Sequence, residues 1–208
     1  MRLYHHPFSF NARRAVLTAL HLSAPVELVT VDMTRREHLT PEFLRMNPNH
    51  KLPVLEDGGF YLWESYAIMQ YLADSTPDQS VLPREARPRA DVNRWLFWCA
   101  QHFSAAIGIL NWEHAVKGLI GLGGPNPAEV KRGEQLFNPL AAVLDAQLAR
   151  RSWVCGLELT LADFAIAAPL GDAAAARLPL EPHTHIHRWL QQVKALPAWK
   201  QAAPHLAE

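Results

Sequence analysis

NPNHKLPVLEDGGFYLWES, from Asn47 to Ser65, decides how the rest of the chain is read. The run Leu52-Pro53-Val54-Leu55 is followed by the turn signal Asp57-Gly58-Gly59, and a second apolar run ends in Glu64-Ser65. Asp-Gly between two short apolar runs predicts a β-hairpin. Pro53 cannot donate to a ladder, so it belongs at a strand start, an edge or a special turn. A cis Leu52-Pro53 bond would bend the backbone and leave neighbouring amides facing outward, free to pair with a ligand. Glu64 and Ser65 put a carboxylate and a hydroxyl at a helix start, where unpaired N–H groups favour an anion. Together these features predict a seat for a small peptide-like molecule carrying both an ammonium and carboxylates.

Upstream, Arg2 to His5 reads as a short strand stopped by Pro7. The spacing of Ala12, Ala15, Val16, Ala19 and Leu20 predicts a helix from Phe10 to Leu22, with Ser9 or Asn11 near its start. Val26 to Val31 alternates and is β-branched, which predicts a second strand. Thr40-Pro41-Glu42 opens a brief helix, with threonine as cap and proline in the first turn. After the hairpin a helix is expected from Glu64 to Asp74. A βαβ unit followed by ββα requires one parallel and one antiparallel pairing, so the sheet is mixed and small.

Downstream, TPDQSVLPREARPR (residues 76–89) holds three prolines and no sustained apolar period. It reads as a linker, residues 78–88, between a first domain of residues 1–77 and a second of residues 89–208. The second domain carries no strand pattern. A long aromatic helix is expected from Arg89 to about Gly118, broken or bent near Gly108, and then a Gly/Pro loop from Gly121 to Pro127. A second long helix ends near Arg151. Thr160-Leu161-Ala162-Asp163 forms a capping box, with Leu159 and Phe164 spaced for a hydrophobic staple. Two helices, His183 to Leu196 and Pro197 to Ala203, close the chain.

Composition narrows the function. The chain has 208 residues, 49% of them apolar, and a formal net charge of zero. That balance argues against a nucleic-acid partner or an anionic membrane surface, both of which select an excess of Lys and Arg. Cys99 and Cys155 are far apart and in no metal-ligand spacing, which fits a reducing, cytoplasmic setting. No signal-peptide core and no bilayer-length apolar run is seen. His183, His185 and His187 do not make a metal site, because only the first and last share a helix face. Gly118, Gly121, Gly123 and Gly124 follow no strand and read as a loop.

Three stretches taken in order resemble the cytosolic glutathione transferases over nearly the full length. HHPFSFNARRAV is similar to the phi-class pattern His-Pro-x-Ser-x-x-x-Arg-Arg-Val. NPNHKLPVLEDG and WESYAIMQYL are similar to the glutathione-binding stretch. LTLADFAIA and HIHRWLQQVKALPAW match the capping box and last helices of the second domain. The resemblance implies an α/β plus all-α protein, with a thioredoxin-like N-terminal domain followed by an all-helical glutathione-transferase C-terminal domain. It further implies that the Leu52-Pro53 bond is cis, that the Leu52 backbone pairs with the cysteinyl part of glutathione, and that Glu64 and Ser65 hold the γ-glutamyl end. Lys51 stands where the phi class has glutamine and theta-like members often lysine. His38 lies at the spacing of the phi-class histidine that helps hold the glycyl carboxylate, but Leu39 stands where that class tends to have lysine.

The chemistry needs a thiolate, since a thiol near its ordinary pKa is mostly protonated at neutral pH. A hydroxyl at a helix N-terminus lowers that pKa by donating to sulfur, aided by the helix dipole. Ser9 matches the catalytic position of the resembled motif; the plain alternative is a helix N-cap. Asn11 is the second candidate donor, or a local cap. Tyr4 is expected in the core or an interface. The position after the first strand holds Pro7-Phe8-Ser9-Phe10 without cysteine, which disfavours disulfide exchange. Trp95, Trp98, His102 and Ala106 share a helix face with Phe103 and Trp112 nearby, and most of these belong in a core. In the resembled family this helix lines an apolar pocket for the electrophile, with Phe8, Phe10, Trp98 and His102 as its candidates here.

The expected function is glutathione S-transfer: glutathione, as co-substrate and without metal, is joined to a small hydrophobic electrophile. The expected assembly is a cytoplasmic homodimer. Two alternatives stand beside it. One is another glutathione-dependent enzyme on the same fold, a peroxidase, dehalogenase or isomerase. The other is a non-catalytic binding or scaffold module.

Overall fold

The computed structural model describes residues 1–202. Ala203, the last residue of the expected final helix, lies outside that range. The chain divides into two compact units, Met1–Leu82 with the segment from Lys194 onward, and Pro83–Val193.

In the first unit β1 (Arg2–His5), α1 (Phe10–His21) and β2 (Glu27–Thr30) are followed by a 3-10 turn at Glu37–Leu39 and by α2 (Pro41–Met46). The hairpin β3 (Val54–Asp57) and β4 (Phe60–Trp63) leads into α3 (Ser65–Asp74). The strands lie in the order β2-β1-β3-β4, with β1 parallel to β2 and antiparallel to β3. Asp57 faces Phe60 across the hairpin end, and Gly58 (φ 57°) and Gly59 (φ 89°) make the two-residue turn. Positive φ at both central residues matches the twist of the flanking strands, and glycine adopts it without steric cost.

Successive strand residues face opposite sides of the sheet, and the core follows that alternation. Leu3 and Leu55 pack with Ala15, Val16 and Ala19 of α1 and Ile68 and Leu72 of α3. Their neighbours Tyr4 and Val54 join Val31, Phe43, Met46 and Leu52 in a second cluster. Tyr4 is thus a core-packing residue. Each fully buried Leu, Ile or Phe side chain contributes about 1.5–3 kcal/mol, so the second cluster is the lighter support. The resulting thioredoxin-like arrangement agrees with the sequence reading. The last helix, α10 (Pro197–Ala202), packs against α1, with the Arg13 guanidinium 6.0 Å from the Trp199 ring centroid.

The second unit is helical apart from an isolated bridge between Trp153 and Gly156. Its first long helix begins inside the expected linker. α4 (Ala86–Trp98) carries Pro88 in its first turn, where a missing N–H costs nothing. A π stretch, Cys99–Phe103, leads into α5 (Ser104–Asn111), and a second, Trp112–Val116, into α6 (Lys117–Leu119). The expected break near Gly108 is not there. Gly108 lies inside α5, and one glycine costs a helix only about 1 kcal/mol. Burial of Ala106, Ile107 and Leu110 outweighs that. The irregularities are instead the two π stretches, which no glycine marks.

Asn126 caps α7 (Pro127–Leu148) by accepting from the Ala128 N–H, with Pro127 in the first turn. The buried carboxylate of Glu113 accepts from the Asn126 N–H over 2.6 Å and from Lys117 Nζ over 3.0 Å, tying the second π stretch to the start of α7. α8 (Leu161–Leu170) is buried along its whole length, and α9 (Thr184–Lys194) follows. Among the described residues no helix is long and apolar enough to cross a membrane.

Candidate active site

β1 ends at His5, and the chain turns through His6, Pro7 and Phe8 before α1 begins. The Ser9 N–H donates to the His6 carbonyl over 3.0 Å, and Ser9 Oγ accepts from the Ala12 N–H over 3.2 Å. Ser9 is therefore the N-cap of α1. A hydroxyl has two acceptor sites and one proton, and the cap uses an acceptor site. Its O–H thus remains a donor at the positive end of a helix. The cap leaves that proton unused, so the two sequence readings do not exclude one another. Asn11, in the first turn of α1, is exposed. Burial pulls the His5 and His6 imidazoles below their usual range, with Asp32 opposing it at His6. Neutral imidazoles fit the positive end of a helix.

The Leu52-Pro53 bond is cis. Pro53 lies just before β3, outside the ladder, as its missing N–H requires. The segment leading to it is wrapped about Asn47, which is 2% exposed. Asn47 Nδ2 donates to the Lys51 carbonyl over 2.7 Å, and Asn47 Oδ1 accepts from Asn49 N and Asn49 Nδ2, each over 3.0 Å. The Lys51 side chain is exposed and Leu52 is half-buried.

After β4, Glu64 takes φ 72° and ψ 108° at the N-cap position of α3. A non-glycine residue held at such angles costs about 1–3 kcal/mol, and such strain gathers at functional sites. The turn exposes the Glu64 carboxylate and sends Ser65 inward, 5% exposed. Arg14 Nη1 donates to Ser65 Oγ over 3.3 Å. His38 occupies the 3-10 turn, where its Nδ1 is occluded and has no hydrogen-bond partner among the described residues.

Of the apolar candidates, Phe8 is 59% exposed and Phe10 is half-buried in the first turn of α1. In the second unit Trp98, at the end of α4, meets Trp95 edge-on at 5.1 Å and stacks on Phe103 at 5.0 Å. Phe103 in turn stacks on Phe137 at 5.5 Å. Trp98 is the half-buried end of that aromatic stack, and His102, in the first π stretch, is exposed.

Neither cysteine has the surroundings of a nucleophile. Cys99 is buried, with Sγ 3.4 Å from both Ser104 Oγ and the Ala165 carbonyl. Burial pushes the Cys155 thiol up to about 12. His187 Nε2 lies 2.9 Å from the Leu180 carbonyl. Among the described residues no group of three or more His, Cys, Asp or Glu is arranged to hold a metal ion.

Two contributors escaped the sequence reading, Arg14 and Asn47. The marks each left in the sequence, an arginine among the apolar positions of a helix and an asparagine directly before proline, do not name a partner.

Comparison with known proteins gives the family to which this fold belongs. Residues 1–74 match the glutathione S-transferase N-terminal domain, and residues 103–197 match the glutathione S-transferase C-terminal domain. Glutathione S-transferase 3 of Zea mays is 32% identical, the match covering 97% of this chain and 92% of that protein. Glutathione S-transferase F10 of Arabidopsis thaliana is 29% identical, over 95% and 94%. The solved structure of a delta-class glutathione transferase from Nilaparvata lugens superposes with a TM-score of 0.85 at 33% identity, covering 97% of this chain and 92% of that one. The chain belongs to the glutathione S-transferase family.

Proposed function

We propose that this protein joins the thiolate of glutathione to small apolar electrophiles, with Ser9 donating the hydrogen bond that stabilises the sulfur anion. The observation that carries the reading is the cap geometry of Ser9, whose Oγ accepts from Ala12 N and keeps its own proton for a ligand. Asn11, in the same helical turn, is the second donor in reach of that helix start. The Leu52 backbone, next to the cis proline, pairs with the cysteinyl residue. Glu64 takes the γ-glutamyl ammonium and Ser65 its carboxylate, while His38 and Lys51 hold the glycyl carboxylate.

Residues 1–77 on this reading hold glutathione, and the helical domain expected from residue 89 onward binds the second substrate. Phe8, Phe10, Trp98 and His102 are the electrophile-contacting side chains. The rate gain then comes from a larger thiolate fraction and from bringing two reactants together. The working form is a homodimer in the cytoplasm. The test is the pH dependence of kcat/KM for Ser9→Ala with an aryl halide. Ser9 as donor requires the apparent thiol pKa to rise and turnover at neutral pH to drop by about a hundredfold. An unmoved profile removes Ser9 from the chemistry and passes the donor role to Asn11.

A further inference from the structure

The guanidinium of Arg14 sits one and a half helical turns beyond Ser9 and is 1% exposed, in a helix whose other buried positions are mostly apolar. Its contacts include one hydrogen bond and two aromatic faces. Nη1 donates to Ser65 Oγ over 3.3 Å. The Tyr66 ring centroid lies 4.3 Å from its central carbon, and the Phe10 ring centroid 5.8 Å away. Phe10 follows the cap serine of α1, and Ser65 and Tyr66 open α3. One buried side chain therefore joins the two helix starts to which the site reading gives the sulfur and the γ-glutamyl end.

The contact also sets what Ser65 can do. Arg14 is a donor only, so Ser65 Oγ must accept from it. That occupies one lone pair and leaves the hydroxyl proton to be donated elsewhere. A hydroxyl that accepts from a cation is polarised, and its own hydrogen bond to an acceptor is strengthened. The acceptor best matched to a polarised hydroxyl at a helix N-terminus with a cation behind it is a carboxylate.

We infer that Arg14 is a positioning residue that acts through Ser65 to make this site select the α-carboxylate of the γ-glutamyl end. The inference rests on the glutathione reading above. The charge stays behind the hydroxyl, shielded by Tyr66 and Phe10, and does not itself touch the ligand. Arginine suits the place better than lysine, because its planar, delocalised group can lie over the Tyr66 ring while Nη1 donates to Ser65.

The test compares glutathione with an analogue whose γ-glutamyl residue is replaced by γ-aminobutyryl, which keeps the amine and lacks the α-carboxylate. Calorimetry and steady-state kinetics are run on wild type, Arg14→Met and Arg14→Lys. Arg14→Met is expected to raise KM for glutathione about tenfold or more, the effect appearing in KM rather than kcat. Affinity for the analogue stays at the wild-type level. Arg14→Lys restores part of the discrimination. Equal loss for both ligands would mean that Arg14 only holds the fold, and would overturn the inference.

If Arg14→Met does not fold, Ser65→Ala cuts the same link from its other end. Discrimination should then vanish, and adding Arg14→Lys should cost no more of it; an additive loss overturns the inference. Wild type that binds neither ligand overturns the glutathione reading itself, a result separate from all of these.

Discussion

The Asn47 side-chain amide and the Lys51 carbonyl are joined by a 2.7 Å hydrogen bond that closes the turn delivering Leu52 and the cis proline. Within that turn His50 takes φ 57°, and both polar atoms of the buried Asn47 amide are used. Asn47→Ala leaves a carbonyl and two N–H donors without their partner, a loss of about 2 kcal/mol. Denaturant unfolding should report it. Kinetics should show a higher KM for glutathione, since Leu52 is no longer held. Asn47→Asp keeps the acceptor for Asn49 and loses the donor to Lys51, so it falls between the two. A destabilised Asn47→Ala enzyme with wild-type KM would separate the turn from the site.

Ser9 caps a helix and is proposed to donate to sulfur, and Ser9→Asp separates those roles. Aspartate caps as well as serine, so stability stays near wild type, while Ser9→Ala loses about 1 kcal/mol. An ionised carboxylate accepts and cannot donate, and it brings a like charge towards the thiolate. The Asp variant is therefore expected to be folded and nearly inactive at neutral pH. Thermal melting and turnover on the same samples decide the matter. An active Ser9→Asp would show that the helix start, not the hydroxyl proton, supports the anion.

What could be read in the sequence was what depends on near neighbours. The Gly58-Gly59 turn is set within a few residues, so local chemistry announced it, and the helix expected from Glu64 begins at Ser65. The Ser9 cap was legible for the same reason; the cis form of Leu52-Pro53 came from the family resemblance. Arg14 was not, because its partner Ser65 is 51 positions away and an arginine in a helix carries no sign of where it reaches. The break expected near Gly108 failed in the opposite direction. A local signal was overruled by burial of Ala106, Ile107 and Leu110 beside it. The π stretches on either side leave no residue type as a marker. Of the site, the backbone features were readable, and the buried polar supports beneath them were not.

Asp163 offers a test by pH. Its fully buried carboxylate accepts from Val154 N, Thr160 N, Thr160 Oγ and Trp189 Nε1, at 2.9, 2.9, 3.2 and 2.8 Å. Burial nonetheless pushes it up, from 3.8 to about 6. The native protein thus binds this proton more tightly than the unfolded chain does. Its stabilising contribution is complete below the unfolded pKa and is lost as pH rises through the folded one. At 1.36 kcal/mol per pH unit the span is about 3 kcal/mol. Asp163→Asn removes the titration and turns an amide N–H2 towards donors, costing about 2 kcal/mol at every pH. The stability of wild type relative to Asp163→Asn should therefore fall between about pH 4 and 7 and level off above. A flat difference over that range would mean that the four donors hold the carboxylate ionised throughout.

Two glycines in the second unit respond to the same substitution with opposite sign. A Cβ at Gly108 meets nothing within 4 Å, and the residue lies in the interior of α5. Gly108→Ala removes backbone freedom from the unfolded chain without a clash and should stabilise by about 0.5–1 kcal/mol. At Gly133, in α7, an added Cβ would come within 2.8 Å of Leu110 Cδ2, 2.9 Å of Leu110 Cγ and 3.2 Å of Ile109 Cγ2. Leu110 is fully buried. Overpacking there costs about 1–3 kcal/mol, more than the helical gain of alanine returns. Gly133→Ala should lower the denaturation midpoint and Gly108→Ala should raise it, with the double variant close to additive only if Leu110 does not shift. If both raise it, α5 and α7 have room to separate, and the close approach at Gly133 is not a constraint on the helical unit.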